Sequence, residues 1–236
     1  MQKNDIKVAA LDVDGTLYPG ALGLQLLQAL TANGIIARSK SEDIFQVIHK
    51  YRLNKIDFQT MTNSAYTLCA EAIAGSSQTV VQSIAKQVWQ QERSKLFSFV
   101  PKLIDTLKNQ GYSLVLISGS PNEIVGCLAE EFRIPKYQGS SFATHQGKYT
   151  GKINILSGVL GQKSSIFLDM VKNWKVNLDK SFAIGDSITD TALLQIVGKP
   201  VVFEPHPSLM LVAQEKGWLV TNRNDVVKHI IKLGDL

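Results

Sequence analysis

The sequence predicts an α/β fold in which a doubly wound parallel sheet carries a helical unit inserted after its first strand. Short apolar runs alternate with helix-like segments through most of the chain. This is the pattern of a parallel sheet whose strands are buried on both faces by helices. Between residues 22 and 97 the alternation stops, and helical segments follow one another directly. An insertion into the sheet-forming chain accounts for both observations.

Five apolar, β-favouring runs are the predicted core strands. The first, KVAALDV, is nearly continuous and ends in acids, and the second follows a helix-like segment and the helix-breaking Gly111. In residues 137–155, Gly139, Gly147 and Gly151 punctuate β-favouring residues, which predicts a hairpin or small flap. The five core runs are residues 7–13, 113–118, 181–184, 200–203 and 218–221.

The inserted unit is predicted from four helical segments. Gly34 and Gly75 stand where the first and third of them would stop, and Ser41, followed by two acids, is typical of the start of the second. We therefore expect a sheet-containing core of residues 1–20 and 98–236 and an all-helical cap domain of residues 21–97. The four helical segments are residues 22–33, 41–51, 57–74 and 77–95.

The composition is that of an ordinary globular protein. The chain has 236 residues, 44% of them hydrophobic and 19% charged, which suffices for one large core or a core with an insert. No apolar run approaches the roughly 18 residues of a membrane-spanning helix. Asp12 interrupts the first apolar run, as an acid would not in a signal peptide, so we expect a cytoplasmic protein. The Lys and Arg residues are scattered despite the net charge of +5, so we expect no nucleic-acid partner.

Asp12 and Asp14 lie two residues apart at the end of the first predicted strand, in the segment Asp-Val-Asp-Gly-Thr of residues 12–16. The two-residue period of a strand places both carboxylates on one side, about 7 Å apart. Like charges so placed repel each other, and burial strengthens the repulsion, so either one acid is protonated or a cation lies between them. The alternative is a strand that ends in solvated acids before a glycine turn.

A second motif, Ser-Gly-Ser at residues 118–120, follows the second strand and precedes a predicted helix whose first turn suits Pro121. The Ser118 hydroxyl and the backbone N–H groups of Gly119 and Ser120 would form an anion site. The alternative is an ordinary strand-to-helix turn, which also favours Ser, Gly and Pro.

Asp186 and Asp190 follow the next predicted core strand, in the segment Gly-Asp-Ser-Ile-Thr-Asp. A helix beginning here would have Asp186 at its entrance and Asp190 about one turn along the same face. The alternative is that Asp186 only caps the helix. Because ligands of open α/β sheets bind at the carboxyl ends of the strands, we expect Asp186 to converge with Asp12 and Ser118.

Lys163 stands in the segment Gly-Gln-Lys-Ser-Ser, which invites comparison with a nucleotide-binding P-loop. That motif would require glycine where the chain has Ser157 and Gln162, so a P-loop is excluded. A single lysine is usually a solvated surface charge. Lys163 is a candidate site residue only when it is considered together with the other three motifs.

Together these segments fit a site for phosphoryl transfer. A phosphate ester is anionic and repels a carboxylate nucleophile, so a divalent cation and an ammonium group must offset its charge. In this hypothesis Asp12 attacks phosphorus and forms an aspartyl-phosphate. Asp14 protonates the leaving oxygen and later takes a proton from the hydrolytic water.

The remaining residues would hold the metal and the phosphate. Mg²⁺ prefers carboxylate and water oxygens, and Asp12, Asp186 and the backbone carbonyl of Asp14 would supply ligands of this kind. Asp190 would order the water shell of the metal or support Lys163. The phosphoryl oxygens would be held by Ser118, Gly119, Ser120 and Lys163.

The four motifs, in this order, resemble those of the haloacid dehalogenase superfamily of phosphatases. They are residues 12–16, residues 118–120, Lys163 and residues 185–190. The resemblance implies a Rossmann-like core, a type I (C1) helical cap and an Mg²⁺ cofactor, with Thr16 as a supporting residue. Asp14 matches the phosphatases of the superfamily rather than its dehalogenases, which implies hydrolysis of a small phosphorylated metabolite.

Residues 147–152 and 204–209 are similar to the phosphoserine-phosphatase-like branch, subfamily IB. Members of that branch hold the amino group of the substrate with a glutamate shortly after the first motif, where this chain has Tyr-Pro-Gly-Ala-Leu at residues 18–22. Arg52 is a candidate for the arginine that binds the substrate carboxylate there. We therefore expect a small phosphomonoester other than phosphoserine. The alternatives are phosphoryl transfer to an acceptor other than water and a phosphate-binding regulatory module without turnover.

Overall fold

One seven-stranded sheet organises the chain. The computed structural model describes residues 5–234, so residues 1–4 and 235–236 of the expected core lie outside the described residues. The strands are β1 (Val8–Leu11), β2 (Ser113–Pro121), β3 (Lys136–His145), β4 (Lys148–Ile155), β5 (Phe182–Gly185), β6 (Lys199–Phe203) and β7 (Leu219–Thr221). Their order across the sheet is β4-β3-β2-β1-β5-β6-β7, and every pair is parallel except β3 with β4.

Ten α-helices accompany the sheet within the described range. No helix there combines the length and the apolar character needed to cross a bilayer. The predicted doubly wound α/β architecture is confirmed by this alternation of strands and helices. The helices are α1 (Leu22–Ala32), α2 (Arg38–Arg52), α3 (Phe58–Ala72), α4 (Gln78–Glu92), α5 (Val100–Asn109), α6 (Asn122–Glu131), α7 (Gln162–Val171), α8 (Thr191–Leu194), α9 (Pro207–Lys216) and α10 (Val226–Gly234).

The central strand β1 shows why the sheet is buried on both faces. Successive side chains of a strand point to opposite sides. Ala9 and Leu11 accordingly belong to one apolar cluster, and Val8 and Ala10 belong to a second cluster on the other face. All four are fully buried. Since β1 pairs in parallel with β2 on one side and β5 on the other, the carboxyl ends of these three strands meet at one edge.

The inserted helices α1 to α4 all lie between β1 and β2, as predicted. Their apolar residues share one cluster with the core: Leu26 and Trp89 of the insert belong to the same cluster as Leu103 and Leu128. The insert is therefore packed on the sheet through a common apolar interior. A separate cap domain of residues 21–97 stays a prediction.

The start of the second inserted helix differs from the expectation. Helix α2 begins at Arg38 after Ala37, and Ser41 lies inside it with its side chain buried. Ser41 is thus a packing residue, because a helix continues upstream of a good capping residue when no chain-breaking residue stops it. The expected hairpin is confirmed: β3 and β4 are joined by Gln146 and Gly147, both at positive φ, which is typical of a tight hairpin turn.

We predict that Ser181→Ala destabilises the fold without touching the site. The buried Ser181 hydroxyl donates to the carbonyl of Asn177 and accepts from the N–H of Val8, at 2.7 and 3.0 Å. Removal leaves the Val8 N–H buried without a partner, which costs about 1–3 kcal/mol. Denaturant unfolding measures this loss. Ser165→Ala removes an exposed hydroxyl and is the control; equal stability of the two variants would contradict the prediction.

Candidate active site

The ends of two neighbouring strands, β1 and β5, bring the predicted acids together. Asp12 follows β1 directly, and its N–H donates to the carbonyl of Ile184 in β5 at 3.1 Å. Asp186 follows the last residue of β5. One carboxylate oxygen from each of Asp12, Asp186 and Asp190 lies within 4.8 Å of the others. The convergence expected at the carboxyl edge of the sheet is therefore present.

A buried lysine connects two of these acids. The Lys163 Nζ donates to Oδ1 of Asp12 at 2.5 Å and to Oδ1 of Asp190 at 2.6 Å. The three side chains are at most 3% exposed. Lys163 lies in the first turn of α7, so a residue 151 positions away in the chain holds the Asp12 carboxylate. It is not a solvated surface charge.

Asp190 is oriented by a short turn. Ser187 caps a single 3-10 turn of residues Ile188–Asp190, and its N–H and hydroxyl both donate to Oδ2 of Asp190, at 3.0 and 3.1 Å. The other oxygen of Asp190 is left for Lys163. The cap is thus Ser187 and not Asp186, which frees the Asp186 carboxylate for the site.

Gly15 makes room for Asp186. Its φ of +86° is in the left-handed region, which an L side chain rarely adopts. A Cβ on Gly15 would lie 2.2 Å from Oδ2 of Asp186. On the other side of the carboxylate, the Thr16 hydroxyl donates to Oδ1 of Asp186 at 3.3 Å. Residues 15 and 16 therefore position the acid that follows β5.

Asp14 is held by the second motif and by the first inserted helix. The hydroxyls of Ser118 and Ser120 each donate to Oδ2 of Asp14 at 2.7 Å, and the N–H of Leu22 donates to Oδ1 at 2.8 Å. The second motif was expected to form an anion site at the start of a helix, and the structure differs from this expectation in detail. Strand β2 runs on to Pro121, and the Ser120 N–H donates to the Ser118 hydroxyl at 3.0 Å. The hydroxyls of Ser118 and Ser120 thus face the first motif, and the Ser120 N–H is used within the turn.

Burial and neighbouring charges shift the pKa values of three residues of the site. Burial, followed by the neighbouring acids, raises the pKa of Asp12 well above its usual range, although Lys163 opposes the shift. Burial and then Asp190 raise the pKa of Asp186 to about 7. Burial lowers the pKa of Lys163, but Asp12 and Asp190 outweigh it and raise the pKa overall. One ammonium group thus faces more negative charge than it can balance.

The residues present fit a hard metal ion. Oδ2 of Asp12 is buried and has no hydrogen-bond partner among the described residues. An orphaned buried carboxylate oxygen is unfavourable unless a cation or ligand accompanies it. The donors nearby are all carboxylate oxygens, which suit Mg²⁺ or Ca²⁺ rather than a soft metal. The carboxylate of Asp14, held by the serines, is outside the acidic cluster of Asp12, Asp186 and Asp190.

A cavity of about 320 Å³ lies above Asp12. Its floor carries Asp12, Asp14 and Lys163, and its walls come mainly from helices α1, α2 and α3. Substrate-sized cavities above a converging set of acids are the usual place for a reaction.

Comparison with protein-family models shows which family the chain belongs to. The model for haloacid dehalogenase-like hydrolases matches residues 9–195, which is most of the chain. This chain belongs to the haloacid dehalogenase-like hydrolase family. The match spans all four motifs, so the predicted family is confirmed.

Individual relatives agree with that family. A probable phosphatase of Mycobacterium tuberculosis is 26% identical over 213 residues, which cover 90% of this chain and 74% of the relative. A phosphoserine phosphatase of Lactococcus lactis is 24% identical over 231 residues, which cover 95% of each chain. A solved structure of a Bordetella pertussis protein of unknown function has a TM-score of 0.78 at 19% identity, and the match covers 93% of this chain and 99% of that one.

Arg52 of this haloacid dehalogenase-like chain differs from the sequence expectation. Arg52 is exposed at the last residue of α2 and is not among the cavity-lining residues, where the same helix contributes Ile44 and Ile48. A basic residue in the last turn is favourable because it faces the negative end of the helix. The structure thus places Arg52 away from the cavity.

Tyr66 is a site residue that the sequence reasoning missed. Its hydroxyl donates to the carbonyl of Gly119 at 2.7 Å, so helix α3 contacts the second motif directly. A Cβ on Gly158 would lie 2.2 Å from that hydroxyl, so glycine is needed there for the contact. A tyrosine within a helical segment has no signature that would have predicted this.

We predict that Gly15→Ala displaces Asp186 and inactivates the site. The added Cβ clashes with the carboxylate in a backbone conformation that already disfavours alanine by roughly 1–2 kcal/mol. Gly217→Ala is the matched control, because Gly217 also has positive φ but a Cβ there would meet nothing within 4 Å. Turnover of an aryl phosphate should fall at least about tenfold further in Gly15→Ala. Equal activity of the two variants would overturn this role of Gly15.

Proposed function

We propose that the chain hydrolyses a small phosphomonoester through an aspartyl-phosphate on Asp12. One observation carries the proposal: a buried carboxylate lies at the floor of a substrate-sized cavity, with one oxygen paired to Lys163 and the other without a partner among residues 5–234. A carboxylate fixed in this way is oriented as a nucleophile. The family match supports a hydrolase, and the phosphatase names of its relatives support phosphate esters.

The first half-reaction forms a bond between Asp12 and phosphorus. The free oxygen of the Asp12 carboxylate attacks, and the bond between phosphorus and the alcohol oxygen breaks. Lys163 stays within hydrogen-bond distance of the other oxygen and offsets negative charge as it develops. In the second half-reaction water attacks the phosphorus of the aspartyl-phosphate, which releases inorganic phosphate and restores the carboxylate.

Asp14 would move the proton in both halves. It gives a proton to the departing alkoxide and later accepts one from the attacking water. Its hydrogen bonds to Ser118, Ser120 and the N–H of Leu22 hold it in place for this task. Serine hydroxyls rotate easily, so a bound phosphoryl group would compete with Asp14 for the same two donors. In this way Ser118 and Ser120 serve as phosphate ligands, with the backbone of Gly119 between them.

We further propose Mg²⁺ as the cofactor. Asp12, Asp186 and the backbone carbonyl of Asp14 would hold it, and Asp190 would keep Lys163 in place. When bound, the ion neutralises phosphoryl charge that would otherwise repel the nucleophile. The cluster of three carboxylates beside a single ammonium group supports a divalent cation at this position.

The Asp12→Asn variant should lose turnover by at least about a thousandfold, because a neutral amide is a poor nucleophile. Release of phosphate from an aryl phosphate measures the rate, and circular dichroism verifies the fold. Asp169→Asn, an exposed acid on the helix that carries Lys163, is the control and should behave like the parent protein. Parent-like turnover in Asp12→Asn would refute the nucleophile assignment.

The same assay separates hydrolysis from the two alternatives. If water is the acceptor, the amount of inorganic phosphate released equals the amount of aryl alcohol released, even when another alcohol is added as an acceptor. A phosphotransferase would release less phosphate than aryl alcohol. A phosphate-binding regulatory module would show no turnover in the parent protein, although its Asp12 and Asp14 are intact.

Removal of the metal should stop the reaction and lower the stability of the fold. At one hundred times its Kd, a cation that binds only the folded state stabilises it by about 2.7 kcal/mol. We therefore expect Mg²⁺ to raise the thermal unfolding midpoint of the parent protein, with a smaller gain in Asp186→Asn. EDTA should abolish turnover and Mg²⁺ should restore it. Unchanged rates in EDTA, or an equal midpoint gain in Asp186→Asn, would contradict the metal site.

A further inference from the structure

The cavity above Asp12 has a charged floor and an apolar wall. Its charged lining residues are Asp12, Asp14 and Lys163, all at the floor. Its volume of about 320 Å³ is near the lower end of the range for small-molecule sites, about 300–1,000 Å³. The wall, facing the part of a substrate beyond its phosphate, is formed chiefly by Leu24, Leu27, Ile44, Ile48, Phe58 and Met61.

No residue of this wall, within the part of the chain that the structure describes, carries a charge at neutral pH. Its two titratable side chains are Tyr66 and Cys69, and burial raises the pKa of each to about 12. An ammonium or carboxylate group that enters such a cavity loses its hydration without gaining an ionic partner, which is strongly unfavourable. The wall therefore disfavours amino-acid phosphates.

The hydroxyl groups of the wall are already engaged. The Tyr66 hydroxyl donates to the carbonyl of Gly119, and the Thr62 hydroxyl donates to the carbonyls of Phe58 and Gln59 within its own helix. A polyhydroxylated alcohol, such as a sugar, would find few free partners here. Unpaired polar groups of a ligand lose affinity in the same way as unpaired polar groups of the protein.

Part of the apolar wall is not used by the fold. Leu24, Phe58 and Met61 are only half-buried, and among the described residues they are outside both apolar core clusters. All three line the cavity. Since removing apolar surface from water is favourable, these three side chains are placed to gain from an apolar ligand.

We propose that the substrate is the phosphomonoester of a small, uncharged, apolar alcohol or phenol, whose carbon skeleton fills this cavity while its phosphate meets Asp12. The proposal rests on the phosphatase function proposed above. It deepens that function by naming the class of leaving group. The apolar wall indicates the leaving group, whereas the charged floor supported the reaction.

A series of n-alkyl phosphates tests the proposal. From methyl to butyl phosphate, kcat/KM should rise by about fourfold per added methylene, as expected for burial of each group. Phosphoserine and glycerol phosphate should both be poorer substrates than butyl phosphate. A flat series, or a higher kcat/KM for phosphoserine than for butyl phosphate, would overturn the assignment.

The Met61→Glu variant links the preference to the wall. It introduces a carboxylate into the apolar cavity, so the ratio of kcat/KM for butyl over methyl phosphate should fall by about tenfold. Asn63→Glu adds the same carboxylate to an exposed position of the same helix and should leave the ratio unchanged. An unchanged ratio in Met61→Glu with a folded protein would refute contact between this wall and the alkyl group.

Binding separates a failure of this proposal from a failure of the proposed function. Alkylphosphonates cannot be hydrolysed, so calorimetry can compare methyl- and butylphosphonate whether or not the protein turns over any ester. Tighter binding of butylphosphonate, without turnover of any phosphate ester, would refute the phosphatase function and support the apolar cavity. Turnover of aryl phosphate combined with equal binding of the two phosphonates would support the phosphatase function and refute the apolar substrate.

Discussion

Burial of Asp12 and Asp190 around one lysine, with the half-buried Asp186 beside them, is the constraint on which the rest of this structure depends. Charges removed from water are tolerated only when paired with good geometry. Lys163 pairs with Asp12 and Asp190. Asp186 completes the acidic cluster, and within residues 5–234 it forms no ion pair with the lysine. These residues come from the ends of β1 and β5 and from α7. Their pairing fixes those ends relative to one another, and the surplus of negative charge favours a cation.

The second constraint is that the insert must be tied to this charged floor. Asp14 accepts a hydrogen bond from Leu22, the first residue of α1, so the insert begins at an acid of the first motif. At the other end of the insert the Tyr18 hydroxyl donates to Glu92 at 2.5 Å. One contact thus ties the start of the insert to the site, and the other ties its last helix to the segment that precedes it.

The fold and the acidic floor could be predicted from the sequence because their signals are local. Buried parallel strands appear as continuous apolar runs, and the acids follow those runs directly. The start of α2 was missed because Ser41 has the residue type of a cap but is buried in a longer helix. Tyr66 and the wall of the cavity were missed for another reason. Contacts between helix α3 and residue Gly119 depend on packing across 53 positions of the chain, which no periodicity encodes.

Floor and wall are not independent of each other. An apolar wall keeps water from the floor, and the interaction between charges strengthens as the surrounding dielectric falls. An arginine in place of Ile48, for example, would add a positive charge to the cavity that Asp12 and Lys163 also line, and would change the balance of charge at the floor. Altered specificity would then require compensation at the floor. The uncharged wall found among the described residues thus fits both the apolar leaving group proposed above and the raised pKa of the buried Asp12 below it.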